Sequence, residues 1–311
     1  MGHMPAGPYL IFDKSALQCL NLDETNWLDN FFYTVITPLF FAETLADLEK
    51  EVSKARTPEQ VVGNLAIKTP DMQSTASAHH RKILSGVLYG EEMPMDGRIP
   101  RDQGKVVEVV ELDGKKGIFY SKSPEEEALD RWHNGEFLDV EPQFAKMWRR
   151  ELSNINHDKE YASFQQWFLM GKPKTLAEVR TLADAYIDAS PQDGSLRFGL
   201  SFLGIPDQVQ IEVTNRWKYA GSPPIRSFAP YFRHIYGVDL FFSLAIASDQ
   251  ISRVRPKGKA DNKVDIAYLY YLPFCHVFVS ADNLYKRVVP LFCEPIKRSS
   301  TRPPSKPICR S

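Results

Sequence analysis

The chain has 311 residues, 25% of them charged and 43% hydrophobic, with a formal net charge of -1. That length suits one large domain or two ordinary ones, and the charge excludes the globally basic surface that draws nucleic acid from a distance, so any phosphate-binding charge must be local. No apolar run approaches the ~20 residues of a membrane span, so no membrane partner is expected; the greasiest stretch, 31–41, reads as core. Four widely spaced cysteines (Cys19, Cys275, Cys293, Cys309) form no CxxC pair and no Cys/His metal spacing, which argues against a zinc module and for a reducing cytoplasm. Met1-Gly2-His3-Met4 reads as a cloning scar, with the natural start expected at Met4.

Residues 9–12 (YLIF) read as an apolar strand, with Asp13 the first acid after it. The stretch 22–33 predicts a helix with Trp27, Leu28, Phe31 and Phe32 on its apolar face and Asp23 and Glu24 near its start. A second strand is expected over 35–39. It runs into a helix over about 40–56 that carries Glu43 and, one turn on, Asp47, with both carboxylates on the same face. Asp47 reads as an exposed helix acid or a supporting partner of Glu43.

From 57 to 227 the text changes. Residues 58–67 and 71–89 predict helices, the second containing His79 and His80. Adjacent helical residues point about 100° apart, so a surface helix is expected there rather than a metal pair. Strands over 105–111 and 117–121 flank an Asp113-Gly114 turn, which suits a β-hairpin. Ser123-Pro124-Glu125-Glu126 opens a helix with a capping box and proline at its first position, and Thr175-Leu176-Ala177-Glu178 is expected to open another in the same way. Helices dominate to Trp217, and Gly221-Ser222-Pro223-Pro224 breaks the chain. Trp148, Trp167 and Trp217 read as core.

Residues 228–252 return as one or two helices. A basic loop follows, with Arg253, Arg255, Lys257, Lys259 and Lys263 leading straight into Asp265. Ile266, Leu269, Tyr270 and Pro273 have the spacing of a one-faced helix, which Pro273 stops. His276-Val277-Phe278-Val279 then reads as a strand covered on both faces. Ser280-Ala281-Asp282 falls where α/β sheets expose groups at strand carboxyl ends. The tail, 297–311, is rich in proline, serine and cations and reads as disordered.

FDKSAL, ITPLFFAETL and VDIAYLYYLPFCHVFVSAD, in that order, resemble the acidic motifs of PIN-domain (PIN-like) nucleases. The resemblance covers roughly the first fifty and last seventy residues. It implies an α/β fold with a three-layer PIN-like core and a parallel sheet, formed by 8–56 with 228–296 and interrupted by a mainly helical insertion, 57–227. It also implies that Asp13, Glu43, Asp265 and Asp282 are the catalytic, metal-holding acids of a nuclease, with RNA preferred over DNA as substrate.

The chemistry is consistent with that assignment. Two unit charges about 4 Å apart cost roughly 4 kcal/mol at an effective dielectric near 20, so gathered acids hold protons or a cation. Oxygen-only ligands favour Mg²⁺ or Mn²⁺. Substrate contacts are expected from Ser15, Ser280, Arg253, Arg255, Lys257, Lys259 and Lys263, which would position a backbone without reading sequence. Plainer roles stand beside each: Asp13 and Asp265 as helix caps, Asp282 as a turn residue, the serines as turn hydroxyls, the basic stretch as a solvated loop. Glu43, a lone acid in an apolar run, has no such substitute. The alternative function is a non-catalytic RNA-binding or oligomerising scaffold that meets its own copies or a regulatory protein through 57–227.

Overall fold

A small parallel sheet with helices on both faces organises the chain. The structure is a computed structural model that describes residues 7–52, 56–69, 75–101, 106–110, 116–120, 122–141, 143, 164, 168, 171–189, 191–251 and 266–293. In chain order the first half runs β1 (Tyr9–Phe12), α1 (Lys14–Cys19), α2 (Leu22–Phe31), β2 (Tyr33–Ile36), α3 (Pro38–Val52), α4 (Pro58–Ala66), β3 (Thr75–Ala76) and α5 (His80–Tyr89). A hairpin of β4 (Val106–Val110) and β5 (Lys116–Tyr120) follows, then α6 (Pro124–His133), α7 (Leu176–Ile187), α8 (Gln192–Phe202) and α9 (Asp207–Tyr219). The chain continues with α10 (Ile225–Phe228), α11 (Pro230–Ala247), a 3-10 helix (Tyr268–Phe274), β6 (Val277–Val279) and α12 (Asn283–Phe292).

The sheet order is β3-β2-β1-β6, and every neighbouring pair is parallel. Parallel strands share one carboxyl edge, so Asp13, Thr37, Ser77 and Ser280, the residues that follow β1, β2, β3 and β6, all leave the sheet on the same side. Alternation along the strands feeds two hydrophobic clusters. Leu10, Phe12 and Ile36 join Leu17, Phe40, Val62 and Trp132 from α1, α3, α4 and α6. Ile11, Tyr33 and Val35 join Ile83, Val179, Leu200, Trp217, Tyr231 and Tyr271 on the other face. Helix layers thus cover both sides of the sheet.

Several sequence expectations shift. The strand placed at 35–39 lies at Tyr33–Ile36, because Pro38 takes the first position of α3, where its fixed φ is favourable. The helix expected over 71–89 begins only at His80. Before it, β3 pairs with β2 at the sheet edge, so the boundary drawn at 57 does not separate sheet from insertion. The helices of 176–217 share one core with Ile11 and Val35, so the insertion has no separate interior. The β4–β5 pairing matches the expected hairpin, whose turn lies outside the described residues.

Ser123 and Glu126 form the full reciprocal box of α6. At α7, Thr175 caps Glu178 N, but Glu178 reaches back to Lys174 N at 2.8 Å rather than to Thr175. From Tyr268 the piece is a 3-10 helix, not an α-helix, and it runs through Pro273 to Phe274. β6, read as covered on both faces, is half-buried along its length and pairs only with β1 among the described residues. A short apolar run reads alike at an edge and in a centre. Trp27 and Phe31 are exposed rather than packed, their rings stacked 5.7 Å apart. His79 caps α5 through its own ring, and His80 lies against Tyr270 with ring centroids 5.0 Å apart, so this is not a surface pair. Trp217 is core as expected; Trp148, Trp167 and Cys309 lie outside the described residues.

Candidate functional site

Asp13 leaves β1 extended, with φ -92° and ψ 172°, and caps α1 by accepting from Ala16 N at 2.9 Å. Ser15 Oγ lies 2.7 and 2.9 Å from its two carboxylate oxygens, and Ser280 Oγ donates to Oδ2 at 2.6 Å. Ser280 comes from the far end of the chain, after β6. Ser15 Oγ also accepts from Ala281 N at 3.1 Å. Asp13 is therefore a helix cap and also the knot between the first and last strand ends. Only 3% of it is exposed. Burial raises its carboxyl pKa above the ordinary range against the lowering effect of the Ser280, Ser15 and Ala16 donors, and the negative charge of Asp282 raises it further.

Asp282 opens α12 and caps it through Leu284 N at 2.8 Å, while its own N–H donates to Ser280 Oγ at 3.0 Å. Asp13 thus performs the plainer capping role, Asp282 caps a helix where a turn residue was expected, and the two still face each other electrostatically. Glu43 projects from the second turn of α3. Its Oε2 accepts from the Tyr268 hydroxyl at 2.9 Å and from Lys14 N at 3.4 Å. Asp47, one turn further, is an ion-pair partner of the Lys14 ammonium rather than a solvated helix acid. Tyr268 is buried; that burial, with the neighbouring charge of Glu43, the Tyr285 hydroxyl and Asp13, holds its hydroxyl well above its ordinary pKa.

The structure therefore brings Asp13, Asp282, Ser15 and Ser280 into one hydrogen-bonded and electrostatic group, and ties Glu43 to the residue after Asp13. Asp265 and the five basic residues Arg253, Arg255, Lys257, Lys259 and Lys263 lie outside the described residues. The donors in hand are carboxylate and hydroxyl oxygens, a chemistry that fits Mg²⁺ or Mn²⁺. A buried acid facing a second acid also gains from a nearby cation, which inverts the local sign. Among the described residues no three His, Cys, Asp or Glu side chains are grouped so that they could hold a metal ion between them.

Two residues of this site escaped the sequence reading. Tyr268 fell off the i, i+3, i+4 face chosen for an α-helix, yet in a 3-10 helix it is buried along with Leu269, Tyr270 and Tyr271. Lys14 stands beside Asp13 in FDKSAL, and its pairing with Asp47 could have been sought from the shared face of Glu43 and Asp47. Comparison with family models, with curated proteins and with solved structures finds no match to this chain. No helix among the described residues is long and apolar enough to cross a membrane.

Proposed function

We propose that this chain is a metal-dependent nuclease of PIN-like type, an endoribonuclease in preference to a DNA-cleaving enzyme, with Asp13, Glu43, Asp265 and Asp282 as its acids. One observation carries the reading: Asp13 and Asp282, from opposite ends of the chain, are drawn together by Ser15 and Ser280 at the sheet's carboxyl edge, while Glu43 accepts from the N–H of Lys14, the residue after Asp13. Bound Mg²⁺ or Mn²⁺ would activate water for in-line attack on a phosphodiester and stabilise the leaving oxygen. The chain's own part is to orient oxygen donors and keep them apart from bulk water: Ser15 and Ser280 fix the plane of the Asp13 carboxylate, and Tyr268 fixes Glu43. The basic stretch before Asp265 supplies phosphate contacts in this reading.

The test is cleavage of single-stranded RNA and DNA of one sequence with Mn²⁺. Wild type should cut RNA faster and stop on chelation, and Asp13→Ala should lower turnover by about a hundredfold or more. The scaffold reading draws on the fact that Asp13 and Asp282 are both occupied as helix caps. RNA binding without cleavage under any divalent metal would select it.

A further inference from the structure

Two donors that the acid pattern does not require converge on one oxygen of Glu43. The Tyr268 hydroxyl reaches Oε2 at 2.9 Å and the Lys14 N–H reaches the same atom at 3.4 Å. The Lys14 ammonium then crosses to Asp47, one helical turn beyond Glu43 on α3. Lys14 is 4% exposed and Tyr268 1%, so neither side chain is open to a polymeric substrate.

We propose that Tyr268 and Lys14 are positioning residues for Glu43, the first setting its carboxylate orientation and the second locking the turn of α3 that bears it against the start of α1. The inference rests on the metal-centre reading above and adds two residues to it. Packing alone does not account for either polar group. A buried ammonium is costly unless paired, and an apolar side chain of similar length fills the same space without that cost. A phenylalanine would occupy the volume of Tyr268 between Phe278 and Tyr285 and need no partner. Both polar ends point instead to one face of α3. Hydrogen bonds that orient a metal-binding carboxylate typically change ion affinity by 10–100-fold, so such donors have an effect at this place that they would lack elsewhere in the core.

Mn²⁺ titration by calorimetry, with thermal melting in the absence of metal, tests this on wild type, Tyr268→Phe, Lys14→Met and Asp13→Ala. Without metal, Tyr268→Phe should melt within about 3 °C of wild type, the scale of a single modest hydrogen bond in a chain of this size. It should bind Mn²⁺ about tenfold more weakly. Lys14→Met should weaken binding in the same direction; if it does not fold, Tyr268→Phe decides alone. Wild-type affinity in Tyr268→Phe, with binding lost in Asp13→Ala, overturns the inference and leaves the metal centre standing. A wild type that binds no Mn²⁺ overturns both.

Discussion

Asp13 caps a helix and also carries a carboxyl that burial and Asp282 hold above the ordinary carboxylate range. Folded, it keeps its proton to higher pH than when unfolded. Between the ordinary value of 3.8 and its raised one, the unfolded chain has lost a proton that the folded chain retains. Stability from this residue is therefore full below that window and falls as pH rises through it. Asp13→Asn keeps a good cap and removes the charge. Metal-free Asp13→Asn should equal or exceed wild type in urea denaturation at pH 7.5, and its advantage should vanish toward pH 4. Added Mn²⁺ should stabilise wild type and leave Asp13→Asn unmoved. A variant clearly weaker than wild type at pH 7.5 without metal would show that the ionised carboxylate is held by donors alone.

Among the elements, those legible in the sequence carried their own local chemistry. Ser123-Pro124 with Glu126 forms the expected box of α6, and Val106–Val110 pairs with Lys116–Tyr120 as the hairpin expected from Asp113-Gly114. What escaped was decided by distant partners. Whether Val277-Phe278-Val279 is central or at an edge depends on what else joins the sheet, and whether 268–274 winds as α or 3-10 depends on what its tyrosines meet. Trp27 and Phe31 look like a packing face, yet nothing described covers them; Trp27→Ala should change stability by less than about 0.5 kcal/mol. Asp13, Glu43 and Asp282 were legible because each directly follows a strand or lies near a helix start, whereas the Tyr268 contact spans 225 positions.

His234 shows how the 3-10 helix is held. Its Nε2 bonds Leu269 O at 2.9 Å, and burial lowers its pKa to about 4 from 6.5. The folded chain keeps this ring neutral, so its contribution is present above pH 6.5 and is lost as pH falls toward 4. By pH 5 the loss is at most about 2 kcal/mol. His234→Gln should flatten the fall in stability between pH 6.5 and 5 by about that amount, read from urea midpoints.

Across the whole molecule, Ile11 and Val35 of the sheet share a cluster with Val179, Leu200 and Tyr231. Leu200→Ala should cost about 3 kcal/mol and displace one cooperative transition, with tryptophan fluorescence and far-ultraviolet dichroism moving together. Separate transitions would restore an independent insertion. If the chain is the nuclease proposed above, its near-zero net charge leaves substrate capture to local cations. Neutralising Arg255, Lys257 and Lys259 should weaken RNA binding and reduce its salt slope by about 0.7 for each single-strand phosphate that is no longer neutralised. Turnover at saturating RNA should stay near wild type. The central claim, that four acids from both ends of the chain share one cation, is tested most directly by anomalous diffraction from crystals soaked in Mn²⁺. A peak is expected within coordination distance of carboxylates from Asp13, Glu43, Asp265 and Asp282. No peak at saturating Mn²⁺, or these carboxylates more than about 10 Å apart, beyond any one- or two-ion site, would contradict it.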